Sequence, residues 1–144
     1  MAYSSKLSTS IHILLAIVRF GEEEKQTSTA LADSINVNPV IVRNLLQKLK
    51  TAGIVSVKAG VGGAYLDKSP KDFTLLDIFQ AVETGNKDVF KLHENPNQNC
   101  PVGKVVHDVV IPNFDQVKNE LYQSLKNITF QSLVDDMNDK LNKK

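Results

Sequence analysis

Arg43 and Asn44 are adjacent residues whose side chains could read the bases of DNA. In the major groove, arginine pairs with guanine and asparagine with adenine, each through two hydrogen bonds. Val40 and Ile41 precede them in the same segment, and either apolar side chain could contact the methyl group of thymine. The same residue types also occur on solvated helix faces, so their meaning depends on the elements that position them.

Positive charge is concentrated in this part of the chain. The net charge of the whole chain is only +1, but residues 38–68 contain five Lys or Arg and one Asp, which is a local charge of +4. Lys48 and Lys58 are the cations that we expect to neutralise phosphates. On charge alone, a solvated helix face is the simpler interpretation.

Capping residues divide this region into helices. The apolar spacing predicts a first helix over 8–20. Thr27 or Ser28 can cap a short second helix, whose first amides near Ser28 and Thr29 could bind a phosphate. We therefore expect two helices before the segment that contains Arg43.

A third helix is predicted over 40–52. Asn38 can cap its N-terminus, Pro39 suits the first position, and Gly53 suits the left-handed residue after its end. Because it carries Arg43 and Asn44, this helix is the expected reading element, and Asn38 at its start is also expected to contact DNA.

A β-hairpin is predicted after the third helix, with strands over 54–58 and from Tyr65 onward. The turn contains glycines that permit positive φ and a close backbone approach to DNA, namely Gly60, Gly62 and Gly63. A tight turn within the protein would need the same glycines. Three helices followed by a hairpin form a winged helix-turn-helix, whose last helix lies in the major groove.

The C-terminal half is predicted to be helical. Its expected elements are a helix over 75–83 capped by Thr74, a polar loop over 86–99, a long helix over 102–127 and a last helix after Thr129. Pro112 must kink the long helix or begin a new one.

The chain resembles the Rrf2 family of bacterial winged-helix regulators. The matching segments are 31–35, 42–55, 60–66, 75–83 and 128–130, and the Gly-x-Gly-Gly-x-Tyr-Leu pattern of the wing is the most specific. The resemblance implies a mainly α fold with a small β-hairpin wing and a long C-terminal dimerisation helix. It also implies a homodimer that binds a palindromic operator in double-stranded DNA, usually as a repressor. The implied division is a DNA-binding domain over 1–84, a sensor loop over 85–101 and dimerisation helices over 102–144.

Cys100 is the single cysteine of the chain. Family members that bind an iron–sulfur cluster have three cysteines in this loop, whereas this loop offers Cys100 alone, with His93 and His107 as auxiliary ligands. One thiolate is a poor cluster site, so we expect no cofactor. Cys100 near a helix N-terminus should form a thiolate readily, and its oxidation or alkylation would weaken DNA binding. An inert thiol is the alternative, in a regulator controlled by a metabolite or a partner protein.

Other classes find little support in the sequence. The three histidines, His12 included, are scattered, and the glycines of 60–63 are not followed by the Lys-Ser/Thr of a phosphate loop, so we do not expect an enzyme. The longest apolar run, 13–18, is too short to span a bilayer and no signal peptide is evident, which favours the cytoplasm. A winged-helix module for protein interaction is the remaining alternative. The sequence does not indicate the operator or the effector.

Overall fold

The computed structural model describes residues 4–21, 24–58, 62–83 and 89–142. Its elements are α1 (Lys6–Phe20), α2 (Ser28–Ile35), α3 (Pro39–Thr51), β1 (Val55–Val57), β2 (Ala64–Leu66), a 3-10 turn (Pro70–Asp72), α4 (Leu75–Val82), α5 (Pro101–Lys126) and α6 (Phe130–Asn142). The predicted fold class, a mainly helical winged helix-turn-helix with a small hairpin and a long C-terminal helix, is confirmed. The first helix begins two residues earlier than expected.

Side-chain caps fix the start of both helices of the helix-turn-helix. Thr27 Oγ1 accepts a hydrogen bond from the Ala30 N–H at 3.1 Å, and Asn38 Oδ1 accepts one from the Val40 N–H at 2.8 Å. Gly53 follows α3 with a φ of 79°, the left-handed conformation that glycine adopts without strain. The predicted starts of the second and third helices are therefore confirmed.

The wing is a short antiparallel hairpin in which Val55 pairs with Leu66 and Val57 with Ala64. The Ala64 N–H also donates to the Gln26 carbonyl at 2.8 Å. The wing is thus hydrogen-bonded to the segment that leads into α2.

A single hydrophobic core contains side chains from helices α1, α2, α3, α4 and α6 and from the wing. Its fully buried side chains include Leu14 of α1, Leu49 of α3, and Phe73 and Phe130, which stack with their ring centroids 4.9 Å apart. Phe130 belongs to α6, so the last helix packs on the DNA-binding head. The segment 102–144 therefore divides between α5 and a helix that contributes to the head's core.

The long helix α5 continues through Pro112 for 26 residues, so Pro112 does not begin a new helix. Next to the proline, Asn113 Nδ2 donates to the Val109 carbonyl at 2.8 Å. Within the parts of the chain that the structure describes, no helix is both long and apolar enough to cross a membrane.

Candidate nucleic-acid interface

The third helix, α3, has one buried side and one exposed side. Its buried residues are Val42, Leu45, Leu46 and Leu49. At 3.6 residues per turn, the opposite face carries Val40, Asn44, Gln47 and Thr51, all of which are exposed. We call these four residues the outward face of α3.

Cationic and apolar side chains lie on the two flanks of the outward face. Ile41 and Lys48 lie on one flank, and Arg43 lies on the other. Lys48 Nζ donates to the Val82 carbonyl at 3.4 Å, so it reaches the C-terminal end of α4, where a cation is favourable. Lys48 therefore stabilises the head, and its contact with phosphate stays a prediction.

The N-terminus of α2 is the predicted phosphate-binding position. Ser28 and Thr29 are its first two residues, and Thr27 satisfies the N–H of Ala30. Asn38 uses its side-chain oxygen to cap α3, so the structure shows it positioning the reading helix. The phosphate and base contacts of these residues stay predictions.

The structure of the hairpin itself requires glycine at two wing positions, independently of DNA. Gly62 and Gly63 have φ values of 76° and 92°, and the turn closes with the Lys58 N–H donating to the Gly63 carbonyl at 3.1 Å. A Cβ on Gly63 would lie 3.4 Å from the Gln26 nitrogen and 3.5 Å from the Lys25 Cβ. Lys58 is exposed at the hairpin. The predicted contact of Gly60 with DNA lies outside the described residues.

Some residues of this surface, Gln47 and Lys6 among them, were not among the DNA contacts predicted from the sequence. Gln47 lies one helical turn after Asn44, and the spacing of the buried residues was a sufficient signal to find it. Lys6 lies at the start of α1, yet it lines the same groove as Ile41 and Asn44. No local pattern reveals Lys6, because its place depends on how α1 packs against α3.

The loop before α5 is held against the middle of that helix. The rings of Phe90 and Phe114 lie 5.2 Å apart, and His107 Nε2 hydrogen-bonds to the His93 carbonyl at 3.0 Å. Between this loop and α5 lies a cleft of about 200 Å³, lined mainly by apolar residues such as Phe90 and Ile111. The described part of the loop, 89–100, therefore contacts α5, although most of its residues are exposed.

Cys100 lies at the junction of this loop with α5. Hydrogen bonding from the backbone N–H groups of Gly103 and then Val102 lowers the pKa of the Cys100 thiol, against a smaller opposing effect of desolvation. The side chain is partly exposed. Stabilisation of the thiolate at a helix N-terminus favours reactivity toward oxidants and electrophiles.

The donors near Cys100 do not fit an iron–sulfur cluster. Such clusters are held by several cysteine thiolates, with two histidines replacing two cysteines in one class. Here the chain has one thiol, and the rings of His93 and His107 pack against each other at 5.2 Å, with His107 Nε2 hydrogen-bonded to the His93 carbonyl. Among the described residues, no group of three or more His, Cys, Asp or Glu is arranged to hold a metal ion.

Comparisons with known proteins agree with this arrangement. The profile of the Rrf2 family, described as "Iron-dependent Transcriptional regulator", matches residues 3–136. A Bacillus subtilis (strain 168) protein described as "Putative HTH-type transcriptional regulator YwnA" is 41% identical over 135 residues, which cover 94% of this chain and 96% of that protein. A Lactococcus lactis subsp. lactis (strain IL1403) protein described as "Putative HTH-type transcriptional regulator YffB" is 26% identical over 140 residues, covering 94% and 88%.

A solved structure shows the same fold. One described as "Crystal structure of a putative DNA binding protein" is 34% identical, covers 90% of this chain and 98% of that one, and has a TM-score of 0.71. The family consists of transcription regulators that are not enzymes. The match of its profile to most of the chain, on a winged helix-turn-helix whose third helix has an exposed face, shows that this chain belongs to the Rrf2 family of transcription regulators.

Proposed function

We propose that the protein is a homodimeric repressor that binds a palindromic operator in double-stranded DNA. The outward face of α3 is the observation that carries this proposal. Its residues are exposed on a helix that is capped at its start and anchored by four buried aliphatic side chains. At 13 residues, or about 20 Å, α3 can lie in the major groove, which is about 12 Å wide.

Each residue of the interface has a chemical role in this proposal. Arg43 pairs with guanine, and Asn44 pairs with adenine. Val40 or Ile41 contacts a thymine methyl group. Contacts to the phosphate backbone fix the register without reading sequence, and they come from Ser28, Thr29, Lys48, Lys58 and the wing backbone.

The dimer contact is assigned to α5. The structure describes all of α5, and none of its residues is buried in the single chain. Val102, Val105 and Val109 are 69%, 47% and 59% exposed, and their spacing places them on one face. Such exposed apolar stripes mark interfaces, and a second copy of the chain would cover this one. In this division, 1–84 and α6 form the head, 85–101 the sensor loop and α5 the dimer contact.

Substitution of one apolar position tests the dimer directly. We expect Val109→Glu to produce monomers in sedimentation equilibrium, because the interface would bury an unpaired charge. Asp108→Ala changes the adjacent exposed residue and should leave the dimer intact. A Val109→Glu protein that still sediments as a dimer would show that this face of α5 is not the interface.

Selection of bound duplexes from a random pool tests DNA reading. We expect a palindrome whose half-sites are separated by about 10 base pairs or a multiple of that spacing. Transcription in vitro from a promoter that contains the palindrome should fall when the protein is added. Recovery of no preferred sequence would favour the protein-interaction module, and increased transcription would contradict repression.

We also propose that Cys100 is the redox-sensitive residue of this regulator. The observation in its favour is the thiol with a lowered pKa at the first residue before the dimer helix. Peroxide or hypochlorite would oxidise the thiolate to a sulfenic acid, and an electrophile would alkylate it. Either adduct adds bulk where the loop meets α5, and thereby changes the position of the two heads.

Two measurements test this role of Cys100. The rate of alkylation should reach half of its maximum at a lower pH than for an ordinary cysteine, because a lowered pKa keeps the thiolate present at lower pH. Operator affinity should fall after oxidation of the wild type and stay unchanged for Cys100→Ser. An oxidant-sensitive Cys100→Ser protein would contradict the proposal. Control by a metabolite bound near Phe90 or by a partner protein would then be the favoured alternative.

A further inference from the structure

The start of α1 is tied to the end of α4 through a buried carboxylate. The Ser4 hydroxyl donates to Glu83 Oε1 at 2.7 Å, and the Lys6 N–H donates to Ser4 Oγ at 3.3 Å. Glu83 is only 6% exposed, so this contact lies at the edge of the core. The first turn of α1 is therefore held at a defined place in the head.

Helix α3 also contacts the end of α4. Lys48 of α3 donates to the Val82 carbonyl, which is adjacent to Glu83 in the chain. A groove of about 440 Å³ lies between α1 and α3, and its lining residues are Lys6, Ile41, Asn44, Leu45, Gln47 and Lys48. Asn44 and Gln47 belong to the outward face of α3, so the groove is continuous with the surface that reads bases.

The chemistry of this groove suits a phosphate. Two lysines line it, and no carboxylate is among the described residues that do so. When a helix lies in the major groove, the phosphate backbones run along both sides of it, so a cation beside the reading face meets phosphate rather than bases. Lysine binds phosphate as a point charge on a flexible stem. Because Lys48 is already bonded to the Val82 carbonyl, Lys6 is the better placed of the two for an outside ligand.

We propose that Lys6 binds a phosphate of the DNA strand that borders α3, on the flank that carries Ile41. This contact rests on the DNA-binding function proposed above and adds the start of α1 to an interface formed by α2, α3 and the wing. The Ser4–Glu83 hydrogen bond sets the position of Lys6 relative to Asn44. The contact supplies affinity and register, and the base preference comes from the outward face.

The salt dependence of binding tests this contact. The probes are the selected duplex and a scrambled duplex of the same length. Lys6→Met should reduce the slope of log K against log salt by about 0.9 for each half-site, hence by about 1.8 for a dimer on two half-sites. The preference for the selected over the scrambled duplex should stay unchanged, and Lys6→Arg should keep the wild-type slope. Lys140→Met removes the same charge from the exposed side of α6 and serves as the matched control.

A scan with methylphosphonates locates the contact. Replacing single phosphates of the selected duplex by neutral methylphosphonates should reveal one position per half-site that weakens wild-type binding but not that of Lys6→Met. Lys6→Gln provides a second variant if Lys6→Met does not fold by circular dichroism. A wild-type slope for Lys6→Met, or an equal loss for Lys140→Met, would overturn the phosphate contact alone. Wild-type protein that binds neither duplex would overturn the DNA-binding function itself.

Discussion

The DNA-binding head and the helix α5 differ in how much of their apolar surface they bury. In the head, Phe73, Phe130 and Leu49 are fully buried around one core. In the 26 residues of α5, no side chain is buried, and its contact with the head includes an edge-on packing of Tyr122 against Phe79 at 6.1 Å. The head therefore buries apolar side chains within its own core, whereas α5 has apolar residues that the described part of the chain leaves exposed.

This difference indicates two separate requirements on the sequence. Packing of an apolar face supplies most of the stability of a helix in a protein. For α3, that packing lies inside the chain and leaves the outward face available for DNA. For α5, our proposal assigns the missing packing to a second copy of the chain. Three substitutions test this contrast.

The largest effect is expected for Phe130, because α6 belongs to the head's core. Phe130→Ala removes a fully buried ring that stacks on Phe73, which should lower the free energy of unfolding by about 3–5 kcal/mol. Urea unfolding followed by circular dichroism measures this loss. Leu141→Ala, at an exposed position of the same helix, should change stability by less than about 0.5 kcal/mol. Equal effects of the two variants would show that α6 does not belong to the core.

An intermediate effect is expected at the junction of the loop and α5. A Cβ on Gly103 would lie 2.3 Å from the Asn97 carbonyl oxygen, so Gly103→Ala forces the loop away from the helix. We expect a loss of about 1–3 kcal/mol, even though alanine is the better helix former. Amide hydrogen exchange measures it at the Cys100 N–H, which donates to the Asn97 carbonyl. Faster exchange is expected for Gly103→Ala but not for Lys104→Ala, and wild-type exchange in both would contradict the contact.

The smallest effect is expected at the two asparagines of the reading helix. Asn38→Ala removes the cap of α3 and should cost about 1 kcal/mol of stability. Asn44→Ala changes the same residue type at an exposed position of the same helix, and its stability should not fall, because alanine favours helices. Thermal unfolding of the pair checks this. Loss of stability in Asn44→Ala but not in Asn38→Ala would reverse the roles that we assign.

Local signals in the sequence were sufficient to predict the helix-turn-helix and the hairpin. Asn38, Pro39 and Gly53 delimit α3 through capping chemistry that depends only on neighbouring residues. The phosphate-binding candidate Lys6 could not be predicted, since its place depends on α1 packing against α3. The same holds for Lys48, whose hydrogen bond to the Val82 carbonyl joins residues far apart in the chain.

The long-range contacts of the C-terminal half could not be predicted from the spacing of apolar residues either. An apolar period predicts a long helix but does not say which helices pack on the head. Phe130 packs against Phe73 because the backbone between α5 and α6 hydrogen-bonds to the start of α4. There the Leu75 N–H donates to the Ile128 carbonyl. No periodicity within α6 indicates that pairing.

The ratio of affinities for the selected and the scrambled duplex, at one salt concentration, tests most directly whether the outward face of α3 reads DNA. We expect Asn44→Ala to lower this ratio by about 5–150-fold for each half-site, through one base pair in each, since a bidentate contact discriminates by about 1–3 kcal/mol. Substituting that base pair in the duplex should then cost the wild type but not the variant. An unchanged ratio for Asn44→Ala and for Gln47→Ala would contradict the assignment of this face as the reading surface.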